Sequence, residues 1–545
     1  MAATSHTSDE STDDDFLPDD DDEMQYDDGD EDWETTTDSL DLEDETWVDS
    51  YLEETANLDQ ALADLAHQEL FYLGRTQFNA NKRKAATNTQ ETSSSPDSPC
   101  GGKNADDDDD DDEHAGEEKT VSAKAPWRKQ SVFEMVKQRA QGILDSDSLL
   151  SISQSVMPNR STQVLDRHSA RAYSGQFSDD GSFFFSCTQD YRLHMYNTTD
   201  PANIEKTGTI QGERGQWTIT DCSLSPDNSK MIYSSITPVV HLANVDFDRD
   251  PETHHTALDF DPTGDGFGIW SVRFSGDAKE IVAGASNECL YVFDIETRTV
   301  LHEIEGHDDH VNAVCFADQR SPHILFSASD DSFVKIWDRR SLGRDSKPAG
   351  VFVGHTEGVT YLDSKSDGRY ALSNGKDQTM KMWDLRKCVE SSQFASDETL
   401  QVGYYAENWD YRSDNYPGPR DFRHPRDCSV QTFTGHSVLK TLIRCHFSPA
   451  YTGQRYVYTG SADGIVRIFN LDGSLVNELN TNDGLKGNDQ PLRMAFDFFL
   501  PRRSWTGQVT RDVSWHPHLP YIISTSWCGA GGGASLVHDY VSESA

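Results

Sequence analysis

Short apolar-rich runs separated by turn residues recur from Tyr173 onward, which is the pattern of many short strands. The clearest stretch covers residues 324–386. It reads ILFSASDDSFVKIWDRR, then a linker with Gly354-His355, then YALSNGKDQTMKMWDLR. The two halves are copies of one unit, each closing on Trp-Asp-any-Arg. Their tryptophans, Trp337 and Trp383, stand 46 residues apart, close to the roughly 40–45-residue period of a four-stranded propeller blade.

Four polar or aromatic positions keep fixed intervals in each copy. His307, Ser327, Asp331 and Trp337 form one set, and His355, Ser373, Asp377 and Trp383 form the next. In a WD blade the Asp orients the imidazole, the Ser bridges, and the indole N–H finds an acceptor, so every buried polar group is satisfied. These histidines therefore read as framework and not as metal ligands. Other blades are degenerate. Ser186, Asp190 and Tyr196 keep the spacing with Tyr in place of Trp, and Thr459, Asp463 and Phe469 follow Gly435-His436. Asn287 and Phe293 mark a fifth blade, Pro238 occupies the turn of a sixth, and a last copy runs from Val509 to Trp527. The count is seven. The predicted fold is all-β, a seven-bladed WD-repeat β-propeller over residues 151–545, with inserted loops at 387–434 and 486–507.

Closure is the weak point of that pattern. After Trp527 the chain offers CGAGGGASLVHDY, and glycines in a strand pack nothing. Either the seventh blade is irregular or the chain is a variant form with altered C-terminal sequence. Strand exchange between chain ends closes a propeller, and residues 152–160 are the expected N-terminal contributor.

Before the propeller the period changes. Leu58, Leu62, Leu65 and Ala66 lie at helical spacing, which predicts a short helix near 58–73 ended by Gly74. Ser131 and Glu134 form a capping box for a basic helix within 127–150. Charge sets this region apart. Of the net −47, residues 1–126 carry −32, from 39 Asp/Glu against 7 Lys/Arg. Such a segment buries too little apolar surface to offset its ordering entropy and reads as disordered. Its acidic-aromatic mixture leaves a scaffold or histone-binding role as an alternative function. Lys82-Arg83-Lys84 is a minimal nuclear-import cluster, consistent with a nuclear and cytoplasmic protein.

The chemistry of catalysis is missing. No Gly-rich phosphate loop, G-x-S-x-G elbow or H-E-x-x-H occurs, so neither an enzyme nor a cofactor or metal is expected. The acidic balance disfavours direct nucleic-acid contact. No apolar run reaches 18 residues, so no membrane span is expected. Nine cysteines at irregular positions form no C-x-x-C pair and read as buried strand residues.

Two features point to binding. The 387–434 insertion carries Tyr404, Trp409, Tyr411 and Arg412, aromatic and Arg content suited to a partner-binding loop. Arg340 and Arg386 follow Trp337-Asp338 and Trp383-Asp384 at the ends of third strands, so both should project from one face of adjacent blades. The rigid Arg fork suits a protein carboxylate or carbonyl. Pairing with the preceding Asp is the competing role.

This double W-D-x-R box resembles that of WD-repeat substrate receptors of cullin-4-class ubiquitin ligases. The segments Thr256–Asp259, Cys289–Asp294, 310–314, 408–412, 441–445 and 511–517 further resemble one branch of that family, the cullin-associated factor eleven (WD-repeat protein twenty-three) branch. The likeness covers about residues 127–527. It implies that Arg340 and Arg386, with Asp338, Asp384, Trp337 and Trp383, dock on the ligase's damaged-DNA-binding adaptor. It also implies recruitment of substrates for ubiquitination and proteasomal loss, among them a cap'n'collar bZIP stress-response transcription factor.

Overall fold

The computed structural model describes residues 157–245, 255–262, 264, 266–343, 346–401, 409–419, 422–485, 508–528 and 532–541. The helix expected near 58–73, the acidic region 1–126, the basic helix within 127–150 and the insertion 486–507 lie outside these residues.

Seven antiparallel sheets follow one another around a ring. Blade one runs from the inner strand Ala172–Phe177 to the outer strand Glu205–Gln211, blade two from Cys222–Leu224 to Thr256–Asp259, and blade three from Ile269–Phe274 to Thr299–Glu305. Blade four spans Val311–Asp318 to Gly350–Phe352, blade five Val359–Ser364 to Gln431–Phe433, and blade six Cys445–Phe447 to Leu475–Asn480. The fold is the expected seven-bladed, all-β propeller.

Inner and middle strands read as continuous apolar runs because each sheet is covered on both faces by its neighbours. Val311–Asp318 is buried at every position but the last. Between blades four and five the side chains of Phe326, Ile336, Phe352, Leu372, Met382 and Trp383 share one cluster, and Phe352 stacks on Trp383 at 5.2 Å between ring centroids. Outer strands face solvent on one side, and there alternation returns, as in Thr299–Glu305.

Closure departs from expectation in two ways. The third strand of blade seven does form, as Gly533–Asp539, paired along its length with Tyr521–Cys528. Gly533 is required there, since a Cβ at that position would collide with the backbone of Ala172 where the chain enters blade one. The outer strand comes from the N-terminal side, as Arg160–His168 and not residues 152–160, in an antiparallel ladder from Arg160 opposite Asp539 to His168 opposite Gly533. The two ends of the propeller thus meet in one sheet, and Tyr196 of blade one bonds Asp166 of the closing strand at 2.8 Å.

The 387–434 insertion is also not a single loop. Val389–Glu390 adds a fifth strand to blade four by pairing with its outer strand, Ser391–Ser396 is a short helix, and Gln431–Phe433 is the outer strand of blade five itself.

Candidate functional site

The two best-kept blades hold their polar sets as closed networks. His307 Nδ1 lies 2.7 Å from Asp331 and its Nε2 2.7 Å from Ser327 Oγ, which also accepts from Trp337 Nε1 at 2.8 Å. In blade five the matching distances for His355, Asp377, Ser373 and Trp383 are 2.9, 2.7 and 2.8 Å. Both tryptophans are fully buried. A Cβ at Gly306, just before His307, would strike the Trp337 ring, which explains the Gly-His pairing. Burial alone would raise the Asp377 carboxyl, but the His355 imidazole and Lys381 outweigh it and hold it at about 2. Asp331 is held well below the usual carboxylate range by His307 in the same way, against the same burial.

Asp331 and Asp377 sit in turns joining second to third strands, whereas Asp338 and Asp384 end the third strands. The two groups therefore occupy opposite faces of the ring. On the second face Arg340 forks onto Asp338, with Nε at 2.9 Å and Nη2 at 2.8 Å. Arg386 forks onto Asp384 at 3.2 and 2.9 Å. The Arg340 hydrogen bond pulls the Asp338 carboxyl below its usual range. Pairing with the preceding Asp, the competing role, is thus present in both copies. It leaves the guanidiniums in view, since the side chains stay 63% and 67% exposed, and it fixes their direction through the Nε and Nη2 bonds. The sites differ in one respect. Asp384 is buried and also receives Arg369 at 2.9 Å, so Arg386 is anchored on a shared carboxylate while Asp338 serves Arg340.

Between these two lies a residue the sequence did not single out. Arg339 turns inward and pairs with Glu280 of blade three, its Nη2 donating at 2.9 Å. Arg339 and Arg340 are neighbours with different duties, and only burial distinguishes them.

The insertion contributes to the opposite face. Tyr411 accepts from the Lys440 N–H at 2.8 Å, Lys440 Nζ reaches the Ser413 carbonyl at 2.8 Å, and the Lys376 ammonium lies 4.5 Å above the Tyr411 ring. Because Lys376 precedes Asp377 and pairs with Asp330, residues 409–416 lie over the turns of blades four and five. Trp409 meets Tyr416 edge-on at 5.2 Å. Arg412 is exposed and paired with Asp410. Tyr404 lies outside the described residues. Phe422, Arg423 and Thr434 of the insertion border, with Gly354 and Gln378, a cavity of about 490 Å³.

Cys187, Cys289, Cys315 and Cys445 are buried, and burial raises the Cys289 thiol to about 11 and Cys315 further still. Such thiols remain protonated and unreactive at neutral pH.

Comparison with known proteins agrees with this geometry. The WD domain, G-beta repeat model matches residues 298–338, 346–384 and 427–470. The chain is 40% identical over 385 residues to the LEC14B protein of Lithospermum erythrorhizon, covering 68% of this chain and 74% of that one. It is 33% identical to the DDB1- and CUL4-associated factor 11 homolog of Caenorhabditis elegans over 72% of this chain and 66% of that one. For the Caenorhabditis briggsae homolog of the same name the figures are 32%, 76% and 71%.

Proposed function

We propose, for a chain that belongs to the WD-repeat family of LEC14B and the DDB1- and CUL4-associated factor 11 homologs, that it is a non-catalytic substrate receptor docking on DDB1 of a CUL4 ubiquitin ligase. The observation that carries this reading is the pair Arg340 and Arg386. Two guanidiniums on adjacent blades are each pre-aimed by an Asp and each mostly exposed. A pre-oriented Arg fork loses little further entropy when it meets a carboxylate or carbonyl of a partner. Trp337, Trp383, Asp338 and Asp384 support it by fixing where the forks stand.

The face bearing the tetrads and the 409–416 segment is then turned toward substrate. By family resemblance that substrate is a cap'n'collar bZIP transcription factor, ubiquitinated for proteasomal loss, in the nucleus and cytoplasm. Replacing Lys82, Arg83 and Lys84 by alanine should lower the nuclear fraction seen by microscopy.

The decisive experiment is affinity purification of wild type and Arg340→Ala/Arg386→Ala from the same cells. The variant should lose DDB1 by at least tenfold while its thermal midpoint stays within about 2 °C, since exposed ion pairs contribute little to stability. DDB1 recovered at wild-type levels would overturn the reading.

A further inference from the structure

The inner strands bring charged side chains onto the channel axis. Arg444, at the head of the inner strand of blade six, spans the ring. It donates to Asp221 of blade two at 2.7 Å and to Asp512 of blade seven at 3.2 Å. Arg273 of blade three takes the other oxygen of Asp221. His446 lies 3.0 Å from Asp512 and 3.7 Å from Asp363. Burial would lower its pKa, but hydrogen bonds to these two carboxylates raise it to about 9, so it is cationic at neutral pH.

With Arg511 included, four cations face three carboxylates. Arg511 is the one left without an acid. Its side chain is buried, makes no ion pair among the described residues, and donates from Nη1 only to the Tyr173 carbonyl, at 2.6 Å. Its Nε–H finds no acceptor, and neither does that of Arg444. The two residues are adjacent, since the Arg444 N–H bonds the Arg511 carbonyl at 2.9 Å. Burial and the Arg444 charge lower the Arg511 pKa to about 10, which still leaves it charged. Buried cations with unmet donors are rare without a counter-charge.

We propose that the ring interior beside Arg511 and Arg444 is a binding site for a small anion, a halide, phosphate or carboxylate group, held by the two orphaned guanidinium N–H groups. A chain of ring contacts links Arg511 to the surface. The Arg511 guanidinium lies 5.3 Å over the Tyr173 ring, and Tyr173 meets Trp217 at 5.6 Å. Trp217 is 54% exposed and held at φ +70°, an uncommon backbone for so bulky a residue. The site is on the axis, away from Arg340 and Arg386, and does not depend on adaptor docking.

The test uses the full chain at constant ionic strength, set by a bulky organic anion too large for the channel. Added chloride should raise the thermal midpoint of wild type saturably by a few degrees and broaden the ³⁵Cl resonance beyond the buffer value. Arg511→Met should abolish both effects, and in chloride-free buffer it should be no less stable than wild type, because it removes an uncompensated charge. If Arg511→Met does not fold, competition on wild type decides. Displacement of chloride by phosphate identifies a site for dissolved ions. Displacement by acetate but not phosphate identifies one shaped for the carboxylate of an Asp or Glu side chain. Wild type with no saturable shift and no excess broadening would overturn the proposal.

Discussion

At the scale of single residues, the tetrads were readable because their chemistry demands fixed intervals. Ser327 must reach both an imidazole and an indole, and only one spacing along two paired strands allows it. Ser327→Ala leaves a buried Trp337 N–H without its acceptor and His307 Nε2 without its partner, at a cost of about 2–4 kcal/mol. The urea midpoint should fall accordingly, with little change in slope. Asp377 adds a pH signature. Its folded pKa of about 2 lies below the ordinary 3.8 of an Asp carboxyl, so its contribution is complete above pH 4 and is lost as pH falls toward 2. That contribution is about 2 kcal/mol, and Asp377→Asn should flatten the acid limb of stability in that window. The residues the sequence did not yield are those whose role depends on burial alone. Arg339, Arg444 and Arg511 have the same side chain as the exposed Arg340, and nothing local marks them as pointing inward.

At the scale of elements, blades four and five were legible throughout and blade seven only in its first two strands, for a physical reason. In the closing sheet the third strand places His538 where its counterparts place Trp. Ser524 Oγ meets His538 Nε2 at 2.7 Å, and Ser161 of the closing strand meets Nδ1 at 2.9 Å. A Ser still bonds the third-strand ring, but the ring is changed and is itself what joins two serines, and the glycine-rich connection lengthens the interval from 10 residues in blade four to 14. Propensity argued against a strand at Gly533, and a tertiary contact with the chain entering blade one required it. The 387–434 insertion reads as one loop in the sequence because its strands are only two and three residues long. Between elements, the Arg339–Glu280 pair joins blade four to blade three in a largely buried setting. Arg339→Ala and Glu280→Ala should show a coupling of about 1–3 kcal/mol in a double-mutant cycle. Both single variants should retain DDB1, which separates this clamp from its exposed neighbour Arg340.

At the scale of the whole molecule, a propeller is only as stable as the sheet in which its ends meet, and here that sheet carries an acid sensitivity. His168 on the closing strand, His194 on the third strand of blade one, and His516 and His538 in blade seven are buried. Burial lowers His538 to about 3 and the other three to about 4, from 6.5. Each is neutral when folded and protonated more readily when unfolded, so its contribution is complete above pH 6.5 and is lost as pH falls toward 4. Asp539 in the same sheet works in the opposite sense. Burial raises it to about 6, so its buried charge is a cost above pH 6 that is relieved as pH falls. The balance is a net uptake of about three protons on opening, a slope of at most about 4 kcal/mol per pH unit between pH 6 and 4. The tetrad histidines His307 and His355 lie across the ring, each beside a carboxylate, and the Asp331 charge opposes the burial that lowers His307. Acid should therefore loosen the joint first. Hydrogen exchange followed at pH 7 and pH 5, corrected for intrinsic rates, should show protection lost at Arg160–His168 and Gly533–Asp539 while Val334–Asp338 and Met380–Asp384 hold. His538→Gln should reduce the stability slope by about one proton. Equal loosening of all seven sheets would place the acid-sensitive groups elsewhere.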